Sequence, residues 1–373
     1  MALLHIPLDN ITEANLQALI GNGARESLYI EYKRETYGRD DAAKKEFRKD
    51  ICSFANAAGG DIVIGMAEKE GIPTKIMPFP DDADKELREL QDIADHNIEP
   101  RIIGFRVRPV QVNGGHVVIV RVPKSYFPPH AFIYNDNRHF YARAEGKNYQ
   151  LAVEQLRNLF LAAPHIAERI RAFRMERIAR IAANETPVPL LSDSPGRAVL
   201  HIVPYSAFGG FDPDLIEKLH NKRSYFVPFA RPSIADSRIN FDGLLTLSNG
   251  NEDAAEHASY CQVFRNGAVE AVGNVPAKGS IPGRDFFKGR ILDSVSRLAQ
   301  ALERCDVRPP YVVMFSLLGM RGTTPVLKHT VAQDQYHFTE ALLDTVPTST
   351  EEASTPLRPL LDHVASLSGA ISM

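Results

Sequence analysis

ESLYIEYKRE at residues 26–35 and FANAAGGDIVIGMAE at residues 54–68 decide how the first part of the chain folds. In the first stretch Leu28, Ile30 and Tyr32 alternate with Tyr29, Glu31 and Lys33, a period of two that predicts a short strand with Glu31 and Lys33 side by side on one face. Glu26 stands just ahead of it, where the incoming loop can carry its carboxylate toward Glu31. Between the two stretches, Ala43, Phe47, Ile51 and Phe54 recur at helical spacing while Lys44, Lys45, Arg48 and Lys49 fall on the other side. The spacing predicts an amphipathic helix over residues 40–56 with a basic outer face. Gly59-Gly60 ends it, because glycine accepts the positive φ needed to leave a helix and enter a strand at once. Residues 61–66 are mostly apolar and of strand length, so they are expected to be buried on both faces and to deliver Glu68 near Glu31 and Lys33.

Two or three carboxylates converging beside a lysine form the donor set of a hard divalent ion, Mg²⁺ or Mn²⁺, which keeps several waters and bridges to phosphate oxygens. Such an ion can activate a water or a substrate hydroxyl, with Lys33 steadying the charge that builds on a phosphodiester. An acid and a lysine on an exposed strand face also make an ordinary solvated ion pair. Both readings stand at this point.

The order E-x4-E-[FY]-K, helix, F-A-N-x-x-G-G, apolar strand resembles the Schlafen AlbA-like domain. Residues 117–125, Pro129-His130 and Phe140-Tyr141-Ala142-Arg143 resemble that family's later strands, so the likeness runs over about residues 20–162. It implies nucleic-acid binding and, as in the animal Schlafen proteins, a metal-dependent endoribonuclease acting on structured RNA such as transfer RNA, in settings such as stress or phage defence. The three acids it implies, as both catalytic and metal-binding residues, are Glu26, Glu31 and Glu68, with Lys33 at the scissile phosphate. Two departures stand out. Glu68 occupies a place where aspartate is usual, and Ala67 one where another acid is common. The phosphate-contacting residues expected with this reading are Lys33, Arg34, Lys44, Lys45, Arg48, Lys49, Arg106, Arg108 and Arg143. The alternatives are a non-catalytic DNA- or RNA-binding regulatory module and a protein-interaction scaffold.

Outward from this core the chain is an α+β protein: a mixed sheet with flanking helices over residues 1–162, an arginine-rich helical linker over 163–195, a second mixed α/β domain over 196–345, and a tail over 346–373 expected to be mobile with a short helix. Thr12 is a candidate cap for a lead-in helix, and Asn113-Gly114-Gly115 and Asn266-Gly267 each signal a hairpin. Residues 149–160 read as an amphipathic helix closing the first domain. His130, in a loop after Pro128-Pro129, reads as a surface residue or a proton donor. In the linker Arg169, Arg171, Arg174, Arg177 and Arg180 interleave with apolar residues, either tracking phosphates or solvating a helix whose other face packs.

Composition narrows the partners. The 373 residues carry a net charge of −3, so a nucleic acid, with RNA favoured over DNA, must meet a local basic face rather than a polycation. Arg101, Arg106, Arg108 and Arg121 offer a second such face, or simply the outer side of a sheet. No apolar run approaches membrane-spanning length and no signal peptide opens the chain, so a cytoplasmic setting is expected. Cys52, Cys261 and Cys305 are scattered singly, which argues against a disulfide framework or a structural zinc site. There is no G-x4-G-K-[ST] loop, hence no ATP phosphate loop. A cleft that seats a duplex needs two lobes and this chain has one, so a homodimer is expected.

Overall fold

The computed structural model describes residues 3–38, 40–80, 83–192, 196–208, 212–229, 233–248, 255–275, 280–281, 284–321, 324–325 and 333–366. The chain divides into two compact units, Met1–His165 and Ile166–Met373.

In the first unit α1 (Glu13–Gly21) starts at Thr12, whose backbone and side chain exchange hydrogen bonds with Asn15 in a capping box. β1 (Ile30–Lys33) leads to α2 (Asp41–Ala55), capped by Asp40, which accepts from the amide of Ala43 at 2.8 Å. β2 (Gly59–Ile64) follows, then the hairpin of β3 (Met66–Lys69) and β4 (Ile72–Ile76), α3 (Ala83–Asp95) and β5 (Ile98–Glu99). β6 (Arg106–Val112) and β7 (Gly115–Pro123) form the hairpin expected around Asn113-Gly114-Gly115, and β8 (Ala131–Tyr134), β9 (Asn137–Ala144) and β10 (Lys147–Gln150) complete the unit's strands.

The central sheet runs β1-β2-β7-β6, parallel between β1 and β2 and antiparallel elsewhere; a second sheet runs β10-β9-β8-β5. Both faces of the central sheet are covered. Alternation along β2 sends Ile62 and Ile64 against Phe47 and Ile51 of α2, and Val63 against Leu16 and Leu19 of α1. The glycine pair divides two tasks. Gly59 has φ +73°, whereas Gly60 allows close approach, since a Cβ there would lie 2.3 Å from the Phe54 ring.

β2 is not purely apolar. Asp61 and Arg121 form a buried bidentate pair at 2.8 and 2.9 Å, and Arg121 also donates to the carbonyls of Ile6 and Leu3. Arg121 is therefore no part of a basic outer face. Its guanidinium satisfies a buried carboxylate, as a charge inside a sheet requires.

α4 (Val153–Ala182) is a single helix of 30 residues containing Pro164, where the sequence reading expected a closing helix over 149–160 and a separate linker from 163. Tyr149 lies in β10, and Phe160 is 59% exposed. From residue 166 on, Ile170, Arg174, Arg177, Ile178 and Ile181 are buried, so this half of the helix belongs to the second unit's interior and is no free linker. Residues 193–195 of the expected linker lie outside the described residues.

The second unit contains β11 (Gly196–Pro204), α5 (Leu215–Asn221), β12 (Asp236–Ile239), β13 (Gly243–Ser248), β14 (Ser259–Phe264), β15 (Val269–Val275), β16 (Ser280–Ile281), α6 (Arg284–Glu303), β17 (Tyr311–Leu318), β18 (Thr324–Pro325), β19 (Tyr336–His337), β20 (Ala341–Leu343) and α7 (Thr350–Ser366). Its main sheet runs β12-β13-β14-β15-β11-β17-β19, with β20 on β17, and every pairing in it is antiparallel. The β14–β15 hairpin forms around Asn266-Gly267, with Gly267 at φ +84°. The last stretch is corrected too. Thr348 and Glu352 cap α7, and Leu357, Leu360, Leu361 and Val364 are buried in the core, so residues 350–366 are a packed helix; residues 367–373 lie outside the described residues.

Candidate functional site

β1 sets Glu31 and Lys33 side by side as its alternation requires, with Glu31 Oε1 2.6 Å from Lys33 Nζ. The face they share is covered, however, and the Glu31 side chain is only 10% exposed. Arg143, arriving on β9, puts Nη1 2.5 Å from Glu31 Oε2, donates from Nε to the Ser27 carbonyl and from Nη2 to the Ile30 carbonyl, and lies over the Phe54 ring at 4.5 Å. A second acid enters from α2. Asp50 is fully buried, with Oδ2 3.5 Å from Lys33 Nζ; it accepts hydrogen bonds from Tyr37 at 2.6 Å and from Asn148 at 2.6 Å.

Two carboxylates and two cations thus share one largely dry cluster. Burial first, and the Glu31 charge second, push the Asp50 carboxyl up to about 7, against the opposing pull of Lys33 and Tyr37. Burial pulls the Lys33 ammonium down, but Asp50 and Glu31 more than offset it and its pKa rises. Asp50 is the member that the sequence reading missed. Three residues after Phe47 and one before Ile51, it falls within the apolar stripe of the 40–56 helix, and an acid on the buried side of an amphipathic helix is the signal that could have found it.

Glu26 and Glu68 meet at the β3–β4 turn. The Glu26 amide donates to the Gly71 carbonyl at 2.7 Å, while Glu68 Oε2 accepts from the Gly71 amide at 2.5 Å. Glu26 Oε1 accepts from the Tyr32 amide at 3.0 Å. Burial raises the Glu26 carboxyl, its hydrogen bond with Tyr32 opposes this, and the charges of Glu31 and Glu68 add to the rise. The three acids therefore feel one another's field. One oxygen each of Glu26 and Glu68 accepts from a backbone amide, both oxygens of Glu31 meet cations, and among the described residues no three acidic, histidine or cysteine side chains are grouped to hold a metal ion. With Arg143 and Lys33 on its two oxygens, the Glu31 carboxylate as placed has none left for Mg²⁺ or Mn²⁺.

The expected phosphate contacts separate into three groups. Arg143 is 3% exposed and serves Glu31, so it cannot reach a phosphate. Arg106 pairs with Asp9 at 3.0 Å, and Arg108 donates to the Leu8 carbonyl, so the chain's opening segment occupies both. On α2, Lys49 pairs with Glu46 at 2.6 Å and Lys45 lies over the Tyr134 ring at 4.6 Å. Lys44 and Arg48 line a cavity of about 380 Å³ together with Glu86, Glu89 and His96. Among the described residues Lys44, Lys45, Arg48 and the exposed Arg34 have no carboxylate within ion-pair distance, whereas Lys33 has two.

The F-A-N segment has a local physical cause. Asn56 donates to the carbonyls of His130 and Tyr141 and accepts from the His130 amide at 2.7 Å, so one side chain ties the end of α2 to β9 and to the residue just before β8. His130 is 1% exposed, with Nδ1 2.6 Å from the Pro100 carbonyl and Nε2 2.6 Å from Ser125 Oγ. It is neither a surface residue nor placed as a proton donor to solvent. Burial lowers its pKa, with the Pro100 carbonyl opposing.

No curated protein matches this chain. Among solved structures it is similar to the N-terminal domain of a putative ATP-dependent DNA helicase RecG-related protein from Nitrosomonas europaea, at 20% identity and a TM-score of 0.29, covering 38% of this chain and 94% of that one. It is also similar to the DIP2311 protein from Corynebacterium diphtheriae, at 12% identity and a TM-score of 0.27, covering 56% of this chain and only 37% of that one. The family model described as Schlafen, AlbA_2 matches residues 26–152, the span that holds the Glu31–Arg143–Lys33–Asp50 cluster, both glycines of the pair and the Asn56 clasp. Such a domain suggests nucleic-acid binding. The first unit of this chain therefore carries a Schlafen AlbA-like domain over residues 26–152.

Proposed function

We propose that the first unit is a nucleic-acid-binding module that works without a catalytic metal, and that its contact face is the outer side of α2. The observation that carries this reading is the contrast among the cations: Arg106 and Arg108 of β6 and Arg138 and Arg143 of β9 each have a carboxylate within ion-pair distance, while Lys44, Lys45 and Arg48 on α2, and the exposed Arg34, have none among the described residues, Arg48 making only a 3.5 Å bond to the Ile93 carbonyl. A row of cations at helical spacing contacts successive phosphates and supplies the salt-dependent part of binding. Tyr29, 43% exposed, is available to stack on a base. RNA is favoured over DNA only by the family resemblance.

The test is binding of labelled single-stranded and duplex RNA and DNA across a salt series. Replacing Lys44, Lys45 and Arg48 together with alanine should weaken binding and flatten the slope of log K against log salt by roughly 0.7–0.9 per lost contact. Arg106→Ala should change neither. Equal slopes for the wild type and the triple variant remove α2 as the face, and absence of any retention at low salt favours the interaction-scaffold alternative.

A second reading, metal-dependent cutting of structured RNA such as transfer RNA in stress or phage defence, draws on the shared field of Glu26, Glu31 and Glu68 and on Lys33 beside them. The engagement of those carboxylates speaks against it. Incubation with total transfer RNA with and without Mn²⁺ separates the two. Discrete fragments that vanish with Glu31→Gln would restore the nuclease; none are expected. A homodimer gripping a duplex between two copies of the module, in a cytoplasmic setting consistent with three free buried thiols, completes the proposal. Light scattering at working concentration checks the dimer. No helix among the described residues is long and apolar enough to cross a membrane.

A further inference from the structure

Two arginines three residues apart on α4, Arg174 and Arg177, are each 6% exposed in the second unit, yet they are neutralised very differently. Arg177 makes two hydrogen bonds of 2.9 Å to the two oxygens of Glu270. Among the described residues Arg174 has only neutral hydrogen-bond acceptors: the Phe315 carbonyl at 2.9 Å, Ser316 Oγ at 3.0 Å and the Phe338 carbonyl at 3.5 Å. Its Nε is buried with no hydrogen-bond partner. Burial lowers the Arg174 pKa, and the only opposing charge acting on it among the described residues, that of Glu340, makes no hydrogen bond with it; a guanidinium out of water without a hydrogen-bonded anion is costly, and an anion bound beside it would offset that cost.

The surroundings of Arg174 suit such an anion. It lines an open cavity of about 450 Å³ with Arg171, His337, Thr339, Glu340 and His363. One histidine is turned into a donor by its neighbour, and the other is free to become one. His363 Nδ1 accepts from the Thr339 amide at 2.9 Å, which leaves the ring proton on Nε2. Ser316 Oγ accepts from Arg174 and lies 3.3 Å from His337 Nδ1; with the Ser316 hydroxyl as donor in that contact, this ring's proton stands on Nε2 as well. Among the described residues Glu340 is the one acid lining the cavity; it pairs with Arg171 at 3.3 Å and its charge also reaches Arg174. Two guanidinium groups and two imidazole donors exceed what a planar carboxylate can use, but match a tetrahedral dianion with three terminal oxygens.

We propose that this cavity binds a phosphate monoester, with the Arg174 guanidinium at its floor and Arg171, His337 and His363 at its rim. The monoester comes either from a free nucleotide or from the 5′ end of an RNA. The site belongs wholly to the second unit and does not depend on the reading of the first.

Calorimetric titration of the full chain with inorganic phosphate, AMP, acetate, and a short RNA with and without a 5′-phosphate tests it. Phosphate and AMP are expected to bind and acetate not to; a preference for the 5′-phosphorylated RNA over its 5′-hydroxyl form, at an affinity above that of AMP, assigns the source to RNA, and the reverse order assigns it to a nucleotide. Arg171→Ala and His363→Ala, both at exposed positions, should each weaken AMP about tenfold, the loss of one charge-assisted contact. Arg174→Met should abolish binding, and Glu340→Gln should strengthen it by removing the competing acid. Should Arg174→Met fail to fold, the two rim variants and Glu340→Gln decide. Absence of binding by phosphate, AMP and phosphorylated RNA alike, or unchanged affinity in both rim variants, overturns the proposal.

Discussion

Each unit buries an acidic cluster inside its sheet, and the two clusters solve the same problem with opposite results. In the second unit Glu270 stands alone against Arg177, His201 Nε2 at 3.2 Å and the Tyr260 hydroxyl at 2.8 Å. Burial alone would raise its carboxyl, but the hydrogen bonds and charges of His201 and Arg177 overcome this and hold it at about 2. In the first unit two acids, Glu31 and Asp50, divide Arg143 and Lys33 between them, and Asp50, the member farther from the arginine's hydrogen bonds, is pushed up to about 7. The difference is stoichiometry rather than depth, for both Glu270 and Asp50 are fully buried. One carboxylate with a bidentate guanidinium is a settled ion pair; a second carboxylate beside it must compete for the remaining ammonium.

The pH responses should consequently run in opposite directions. Glu270, depressed in the fold, contributes stability that is present above its unfolded value near 4.5 and is lost as pH falls toward 2. Asp50, raised in the fold, does the reverse, because the folded state binds the proton more readily. It weakens the fold as pH rises from about 4 through about 7.

The largest effect should come from breaking the settled pair. Glu270→Gln leaves Arg177 buried without a counter-charge and should cost about 3–5 kcal/mol. Chemical denaturation measures it, and lost exchange protection in β11 and β15 assigns it to the second unit. Arg143→Met should cost less, about 2–3 kcal/mol, because Lys33 remains on Glu31. An Arg143 loss equal to the Glu270 loss would mean that the shared cluster is no looser than the settled one. Asp50→Asn sharpens the contrast in another way: wild-type stability should decline with rising pH between about 4 and 7 by up to ~1.4 kcal/mol per unit, and the variant should remove that decline. A slope that persists in the variant would place the titration elsewhere. Smallest is Tyr37→Phe, which deletes the 2.6 Å hydrogen bond to Asp50 and should cost ~1 kcal/mol while moving the decline to higher pH. Carbon-detected NMR titration of the Asp50 carboxyl reads that shift directly.

Much of the first unit was legible in its sequence because its signals are local. Alternation at residues 28–33, the apolar stripe of Phe47, Ile51 and Phe54, the glycine pair and the Asn-Gly hairpins each depend on neighbours a few residues away. What misled was the assumption that charged residues on a regular face meet water. Glu31, Arg121, Arg143, Arg174 and Arg177 all sit at positions that a periodic pattern reads as outward, and all are buried. Apart from Lys33, which stands beside Glu31 on the same strand, the charged groups and carbonyls that hold them lie roughly 60 to 164 residues away in sequence, as with Asp61 to Arg121 or Arg174 to Phe338, so no local window contains both halves of such a pair.

By itself, then, the sequence determined the α+β class, the strand that sets Glu31 beside Lys33, the helix that carries Lys44, Lys45 and Arg48, and the Schlafen AlbA-like pattern over residues 26–152. Only the tertiary structure decided that Glu31 faces Arg143, that Glu26 and Glu68 turn to the amides of Tyr32 and Gly71, and that among the described residues no carboxylate is hydrogen-bonded to Arg174 while Arg177 has one. The physical reason is that periodicity places a side chain on a face, whereas the charge it meets there is brought by strands and helices remote along the chain.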